Sequence, residues 1–201
     1  MLIEGVILKL TMKLPEFTKD HFERVSSTIR EEILVDLDDT KLESIATENQ
    51  ISQISISEEF DAKSFETEVM ISGPSSWGPR DMMIPTIGYE YSFDFKNCSQ
   101  SVLDHLLARI NTRFEENGLT KLNIEGETAS FQLIPSPKLG TIEKRRGLVI
   151  EEAGRMKSIA KEAVNTTNSH IEAYNQSLHT SLKNHRNFLI KKRDADNSMR
   201  V

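Results

Sequence analysis

The stretch Thr-Ile-Gly-Tyr-Glu-Tyr-Ser-Phe-Asp-Phe-Lys, residues 86–96, alternates between aromatic and polar side chains. Because side chains two apart in a strand share a face, this pattern predicts a β-strand with one apolar and one solvated face. A single solvated face in turn favours an antiparallel sheet. The apolar face carries Tyr89, Tyr91, Phe93 and Phe95, and the solvated face carries Glu90, Ser92, Asp94 and Lys96.

Other segments on both sides of this strand show strand and helix patterns. Alternating runs at 50–58 and 64–72 predict one hairpin, and 119–136 predicts another that turns at 125–127. Residues 1–137 are therefore predicted to form an α+β domain in which an antiparallel sheet of about five or six strands packs with two helices. The remaining predicted elements are a strand over 4–14, helices over 19–35 and 99–117, a left-handed cap at Asn117-Gly118 and a loop over 73–85.

Residues 138–201 follow a different pattern. Apolar side chains recur at three- and four-residue steps, and no proline occurs between Thr141 and Arg193. This predicts either one long helix or a helical hairpin that breaks at the polar run 165–169. The apolar stripe is narrow, which is typical of a seam between two or three helices, as in a coiled coil.

Composition narrows the function classes. The single cysteine, Cys98, excludes a disulfide within the chain and a cysteine-based metal site. No apolar run reaches the roughly 18 residues needed to span a membrane, so we expect a cytoplasmic protein that does not enter a membrane. No phosphate-binding loop, dinucleotide fingerprint, histidine pair or serine elbow occurs, so we expect no cofactor and no metal.

Charge is distributed unevenly along the chain. Residues 1–137 hold 12 Lys and Arg against 24 Asp and Glu, whereas residues 138–201 hold 13 against 7. A basic segment after an acidic one indicates either a solvated helix surface or a tail that binds nucleic acid. Contacts to phosphates in the second case would come from two basic clusters: Lys144, Arg145 and Arg146, and Lys191, Lys192 and Arg193.

The strand at 86–96 also suggests an alternative with catalysis. Asp94 and Lys96 share its solvated face, and Asp81 lies upstream. Two acids that hold Mg²⁺, with a lysine near the attacking water, are the parts of a metal-dependent nuclease site. An acid two residues before a lysine also occurs by chance in an amphipathic strand, so we keep the nuclease as an alternative.

The segment IEAYNQSLHTSLKNHRNFLIKKR, residues 171–193, resembles the N-terminal accessory region of bacterial restriction-endonuclease-like proteins found among phage-defence genes. In that family the nuclease domain follows these helices, so the resemblance implies that this chain holds the accessory region without the catalytic one. Two features depart from the family: DADNSMRV replaces an apolar run after the basic cluster, and 134–137 matches a proline-rich segment only in part. The matching positions are Ile171, Tyr174, Asn175, Leu178, Arg186 and Leu189 or Ile190.

These observations predict a non-catalytic interaction, sensing or oligomerisation module, and the resemblance adds a bacterial antiviral setting. We expect a protein partner or a second copy to bind the helical stripe. The predicted contact residues are Ile159, Ala163, Ile171, Tyr174, Leu178 and Leu182. The alternatives are a nuclease that uses Asp81, Asp94 and Lys96, and a nucleic-acid-binding accessory protein that uses the two basic clusters.

Overall fold

The computed structural model describes residues 14–73 and 80–198, so nearly all of the strand predicted over 4–14 lies outside the described residues. The fold is α+β, as predicted, and it divides into two compact units. We call residues 14–53 with 166–198 the helical unit, and residues 54–73 with 80–165 the sheet unit. The units divide at residues 53 and 165, and residue 137, the predicted boundary, lies within the sheet unit.

The helical unit consists of three short helices and the second part of a long one. These are α1 (Glu16–Thr28), α2 (Glu31–Asp36), α3 (Asp39–Glu48) and residues 166–198 of α5 (Ile142–Ser198). Apolar side chains from all four helices form one buried cluster, which is the core of this unit. Its members are Phe22, Val25, Leu34, Leu42, Ala46, Tyr174, Leu178, Leu182 and Leu189.

The single helix predicted over 19–35 is wrong, because the chain leaves the helix at Ile29 and Arg30 and starts a new one at Glu31. The run Ser26-Ser27-Thr28 supplies the physical reason. Each of its three hydroxyls donates a hydrogen bond to the carbonyl three residues earlier, at 2.7–3.1 Å. Such side-chain bonds compete with the helical ladder and favour termination. The acidic residues that follow then suit the first turn of α2.

The sheet unit contains an antiparallel five-stranded sheet, one helix and the first part of α5. Its strands are β1 (Ser55–Ile56), β2 (Asp61–Gly73), β3 (Arg80–Lys96), β4 (Asn123–Glu125) and β5 (Thr128–Leu133). Strand β3 pairs with β1, β2 and β5, and β4 pairs with β5. The other elements are α4 (Gln100–Glu116) and a 3-10 turn (Pro137–Leu139).

The hairpin predicted between 50–58 and 64–72 is wrong. Strand β2 pairs with β3 along its whole length, from Asp61 opposite Ser92 to Gly73 opposite Arg80. The two residues of β1 pair with β3 as well. The predicted loop over 73–85 is wrong for residues 80–85, which continue β3 in spite of Pro85, and its residues 74–79 lie outside the described residues.

Proline is tolerated at position 85 because of the direction in which its backbone nitrogen points. The N–H of Phe95 donates to Glu127 on the β5 side, and directions alternate along a strand, so the odd-numbered residues of β3 point away from β2. Strand β5 pairs with β3 only from Tyr89 to Asp94. At position 85, therefore, no described strand requires the N–H that proline lacks.

The aromatic face of β3 forms the core of the sheet unit, as its alternation predicts. Phe93 and Phe95 are buried, and Phe60 stacks on Phe93 with 4.0 Å between ring centroids. Helix α4 and the turn at Gly126 are also confirmed, and both Gly118 and Gly126 have the positive φ that such turns require.

Helix α5 runs without a break through the polar segment 165–169, so the long helix is correct and the helical hairpin is not. Within residues 14–73 and 80–198, no helix is both long and apolar enough to cross a membrane.

Candidate functional site

The three residues of the nuclease alternative are not brought together. Asp81 and Asp94 lie on one strand, thirteen residues apart, which separates them by about 40 Å at the usual rise per residue. Their oxygens already accept hydrogen bonds from nearby hydroxyls: Ser72 donates to Asp81, and Thr128 donates to Asp94 at 2.6 Å. Across the described ranges, no group of three His, Cys, Asp or Glu residues is placed to hold a metal ion.

Cys98 has no nucleophilic setting either. Partial burial, with the nearby carboxylates of Glu127 and Asp104, raises the pKa of this thiol to about 11. At neutral pH the residue is therefore a neutral thiol rather than the reactive thiolate.

The helical stripe predicted to bind a partner is buried within the chain. Ile171, Leu178 and Leu182 are fully buried, and Tyr174 is nearly so. Of the two remaining residues, which belong to the sheet unit, Ala163 is buried and Ile159 is half-buried. Three of the six, Tyr174, Leu178 and Leu182, belong to the core cluster of the helical unit. The apolar period along α5 therefore reflects internal packing.

Polar residues of the same segment fasten α5 to the preceding helices. The Asn175 amide accepts from the N–H of Ile51 and donates to its carbonyl, both at 2.9 Å. Arg186 donates to the carbonyl of Leu37 at 2.7 Å and to the Asp39 carboxylate at 2.9 Å. Asn175 thus pairs both backbone groups of Ile51, which follows the end of α3, and Arg186 pairs the carbonyl of Leu37, the C-cap residue of α2, which the helix itself leaves free.

Tyr174 makes a further polar contact at the edge of this core. Its hydroxyl lies 2.8 Å from Nδ1 of His21. Burial raises the pKa of Tyr174, and burial together with the positive charge of Arg24 lowers the pKa of His21. Both shifts favour the neutral forms, so the pair acts as a neutral hydrogen bond inside the helical unit. The positions that carry the family resemblance therefore have structural roles here.

The basic residues of the nucleic-acid alternative fall in different units. Lys144, Arg145 and Arg146 belong to the sheet unit, and the cluster at 191–193 belongs to the helical unit. Arg145 donates to the hydroxyl of Thr86 at 3.2 Å, and Arg193 lies 3.8 Å from the Asp36 carboxylate. Two of the six basic groups therefore have partners inside the chain.

A different surface is left open in the sheet unit. We call residues 65–73 of β2 and 80–88 of β3 the arm, because β5 reaches only as far as Tyr89 and these segments form a two-stranded ribbon. The side chains of Met70, Met82 and Met83 are 62%, 61% and 56% exposed. Sequence reasoning missed this site because it assigned Met82 and Met83 to a loop.

The arm has an acidic as well as an apolar character. Met70 faces Met83 directly across the ribbon, so their side chains share one face. Glu66, Glu68 and Asp81 have the same strand parity as this pair and are exposed on that face. The arm thus combines polarizable thioethers with carboxylates on one surface.

Packing between β2 and β3 restricts one position of the arm. The ring of Phe65 lies over Gly88, and a Cβ at position 88 would come within 2.4 Å of that ring. Glycine at this position therefore lets the aromatic ring close one face of the ribbon.

Comparison with models of protein families, with curated proteins and with solved structures finds no match to this chain.

Proposed function

We propose that this chain is a non-catalytic protein-interaction module and that its contact surface is the arm. The observation that carries the proposal is the exposure of Met70, Met82 and Met83, each more than half exposed on a two-stranded ribbon. Met70 and Met83 lie opposite each other on one face of the ribbon, whereas Met82 lies on the other face. Large apolar side chains that share an exposed surface, as Met70 and Met83 do, mark interaction sites. Methionine suits such sites because its flexible thioether adapts to the shape of a partner.

The arm replaces the helical stripe as the proposed partner-binding surface. Tyr174, Leu178 and Leu182 are packed in the core of the helical unit, and a partner could reach them only if that unit opened. The arm needs no such opening. This supports an interaction role at lower conformational cost, because a surface that is already exposed and paired is preorganised for binding.

The wider setting that we propose is an accessory role in bacterial phage defence, in the reducing cytosol. It rests on the resemblance of residues 171–193 and on the single cysteine. The matching residues Tyr174, Asn175 and Arg186 hold the helical unit together, so what a related protein would share through them is the scaffold of that unit.

Selection of displayed peptides on the purified chain tests the proposal. The change is Met70→Asp with Met83→Asp, which places charge on the apolar part of the arm. The matched control is Ile150→Asp, because Ile150 is 57% exposed on α5 of the same unit. We expect peptides enriched on the unchanged chain to lose binding at least tenfold to the arm variant and to keep binding to the control.

Two results would count against this function. Selected peptides that bind the arm variant as well as the unchanged chain would place the contact surface elsewhere. Failure to enrich any peptide over repeated rounds would remove the support for an interaction module.

A further inference from the structure

Strand β2 has one edge that no described strand borders. It pairs with β3 through all of its thirteen residues, and in residues 14–73 and 80–198 nothing forms a ladder with its other side. No residue of β2 is buried. An open edge of this length offers a row of unpaired N–H and C=O groups to another extended chain.

The register identifies which backbone groups form this edge. Because odd-numbered residues of β3 point toward β5, its even-numbered residues point toward β2 and bond their odd-numbered partners there. The even-numbered residues of β2 therefore direct their N–H and C=O groups outward. The Ser72 carbonyl, at one end of this edge, accepts from the Lys138 ammonium at 3.2 Å. The outward groups belong to Ala62, Ser64, Glu66, Glu68, Met70 and Ser72.

The charges at this edge disfavour a second copy of the same strand. Glu66 and Glu68 are exposed at the middle of β2. Antiparallel pairing of two copies about residue 66, 67 or 68 would put two of these glutamates directly opposite each other. Like charges directly opposite destabilise a ladder.

The same charges favour a basic partner. An incoming strand with Lys or Arg opposite Glu66 and Glu68 would form cross-strand ion pairs on one face. On the other face it would lie beside Phe65, Thr67 and Val69, which are half-buried and continue the less exposed side of the ribbon. The complementary segment thus alternates basic with apolar residues.

We infer that β2 binds an extended segment of a partner protein by antiparallel strand addition. In this segment, Lys or Arg alternates with apolar residues. The inference rests on the proposed interaction role. The backbone groups of Ser64, Glu66, Glu68 and Met70 form the new ladder. Main-chain bonds supply affinity in this mode, and the side chains opposite the two glutamates supply specificity.

The first test uses three short synthetic peptides of equal length, each with a fluorescent label for anisotropy. One alternates lysine and valine, one alternates glutamate and valine, and one repeats the lysine peptide with N-methyl groups along one backbone edge. We expect saturable binding of the first alone. Equal binding of the N-methylated peptide would refute strand addition, because that peptide keeps the charge and lacks the N–H donors. Failure of the lysine peptide to bind would refute the inference outright.

The second test reverses the charges of the edge. The Glu66→Lys, Glu68→Lys variant should bind the lysine peptide roughly tenfold more weakly, since two attractive pairs become repulsive, and should gain binding of the glutamate peptide. A variant that binds both peptides as the unchanged chain does would place the contact elsewhere.

The third test measures hydrogen exchange at each backbone amide of β2. Hydrogen exchange should be fast at Ser64, Glu66, Glu68 and Met70 in the free chain and should slow when the lysine peptide binds. The amides of Phe65 and Thr67, which already bond to β3, should not change. Slowing that spares the even-numbered amides would contradict the inference.

A proline substitution at this edge distinguishes a loss of peptide binding from a loss of folding. Ser64→Pro removes one outward N–H and keeps both glutamates, and an edge strand tolerates proline at such a position. It should abolish peptide binding with an unchanged circular dichroism spectrum, whereas Ser64→Ala should bind normally. Normal binding by the folded proline variant would contradict the inference.

The two peptide experiments distinguish a failure of strand addition at β2 from a failure of the arm as a contact surface. Displayed peptides that require Met70 and Met83 would still support the arm if the lysine peptide did not bind. Sedimentation of the purified chain tests whether a second copy occupies β2 instead of a partner. A dimer that Ser64→Pro converts to monomer would show such pairing and would overturn the inference.

Discussion

The second part of α5 and the arm both carry periodic apolar side chains, but the chain uses them differently. In α5, Tyr174, Leu178 and Leu182 are packed with side chains of α1, α2 and α3 in one buried cluster. In the arm, Met70 and Met83 remain exposed. Periodicity therefore identifies an apolar face, but only the remaining chain decides whether that face is core or contact surface.

The largest difference should appear when each face receives a charge. Leu178→Asp buries a carboxylate in the core of the helical unit, and it should lower the free energy of unfolding by roughly 4 kcal/mol or more. Met70→Asp should change it by less than about 0.5 kcal/mol, because the site is exposed. Urea unfolding followed by circular dichroism measures both. Equal losses for the two variants would contradict the assignment of Leu178 to a buried core and of Met70 to an exposed surface.

A smaller loss in the free energy of unfolding is expected when a polar contact between α5 and the segment after α3 is removed. Asn175→Ala removes two hydrogen bonds and leaves both backbone groups of Ile51 without their partner, which should cost roughly 2 kcal/mol. Gln176→Ala is the matched control, since the neighbouring Gln176 is exposed and bonds only to Glu172 among the contacts resolved for it. If both variants unfolded at the same urea concentration, Asn175 would not anchor the Ile51 segment.

In the arm, the largest effect on stability should come from packing rather than charge. Gly88→Ala drives a methyl group into the Phe65 ring and should cost about 1.5 kcal/mol. Adding Phe65→Leu should recover part of this loss, because the shorter side chain leaves space. Gly73→Ala is the control, since a Cβ there meets no atom of residues 14–73 or 80–198 within 4 Å. The same denaturation experiment compares the three variants, and a Gly88→Ala protein as stable as the control would contradict the assigned packing.

The smallest effect is a pH dependence confined to the helical unit. Burial lowers the pKa of both His21 and His185 in the folded chain. The unfolded chain therefore binds protons first as the pH falls through the ordinary histidine value of about 6.5. The contribution of the two neutral histidines to the free energy of unfolding is therefore complete above that pH. It is lost as the pH falls toward their pKa values in the folded chain.

Urea midpoints measured between about pH 7.5 and 5.5 test this dependence. The midpoint should fall as the pH is lowered, and the His21→Gln, His185→Gln double variant should show a shallower slope. An unchanged slope in the double variant would assign the pH dependence to other groups.

Elements whose local pattern matched their environment were predictable from the sequence. The alternation of 86–96 identified the aromatic face of β3, and the apolar period of α4 ended correctly before Gly118. These predictions hold because burial on one side of an element leaves its period in the sequence.

The rest depended on contacts distant in sequence. Prolines and glycines between 73 and 85 predicted a loop, although Pro85 points its missing N–H to an open edge and β3 continues through it. Similarly, the narrow stripe of α5 predicted a helix seam with a partner, although α1, α2 and α3 of the same chain cover Leu178. The loop prediction was therefore wrong for residues 80–85, and the apolar stripe was real but its partner lies in the same chain. In both cases the local pattern did not specify the neighbouring segment.

Hydroxyl-radical footprinting of the purified chain can show whether the open surface lies on the arm or on α5, because it labels methionine, tyrosine and leucine side chains in one sample. We expect rapid labelling of Met70, Met82 and Met83 and protection of Tyr174 and Leu178. Met156 is fully buried and serves as the internal reference for a protected methionine. Protection of the arm methionines together with labelling of Leu178 would contradict the arm as the contact surface, since the open surface would then lie on α5.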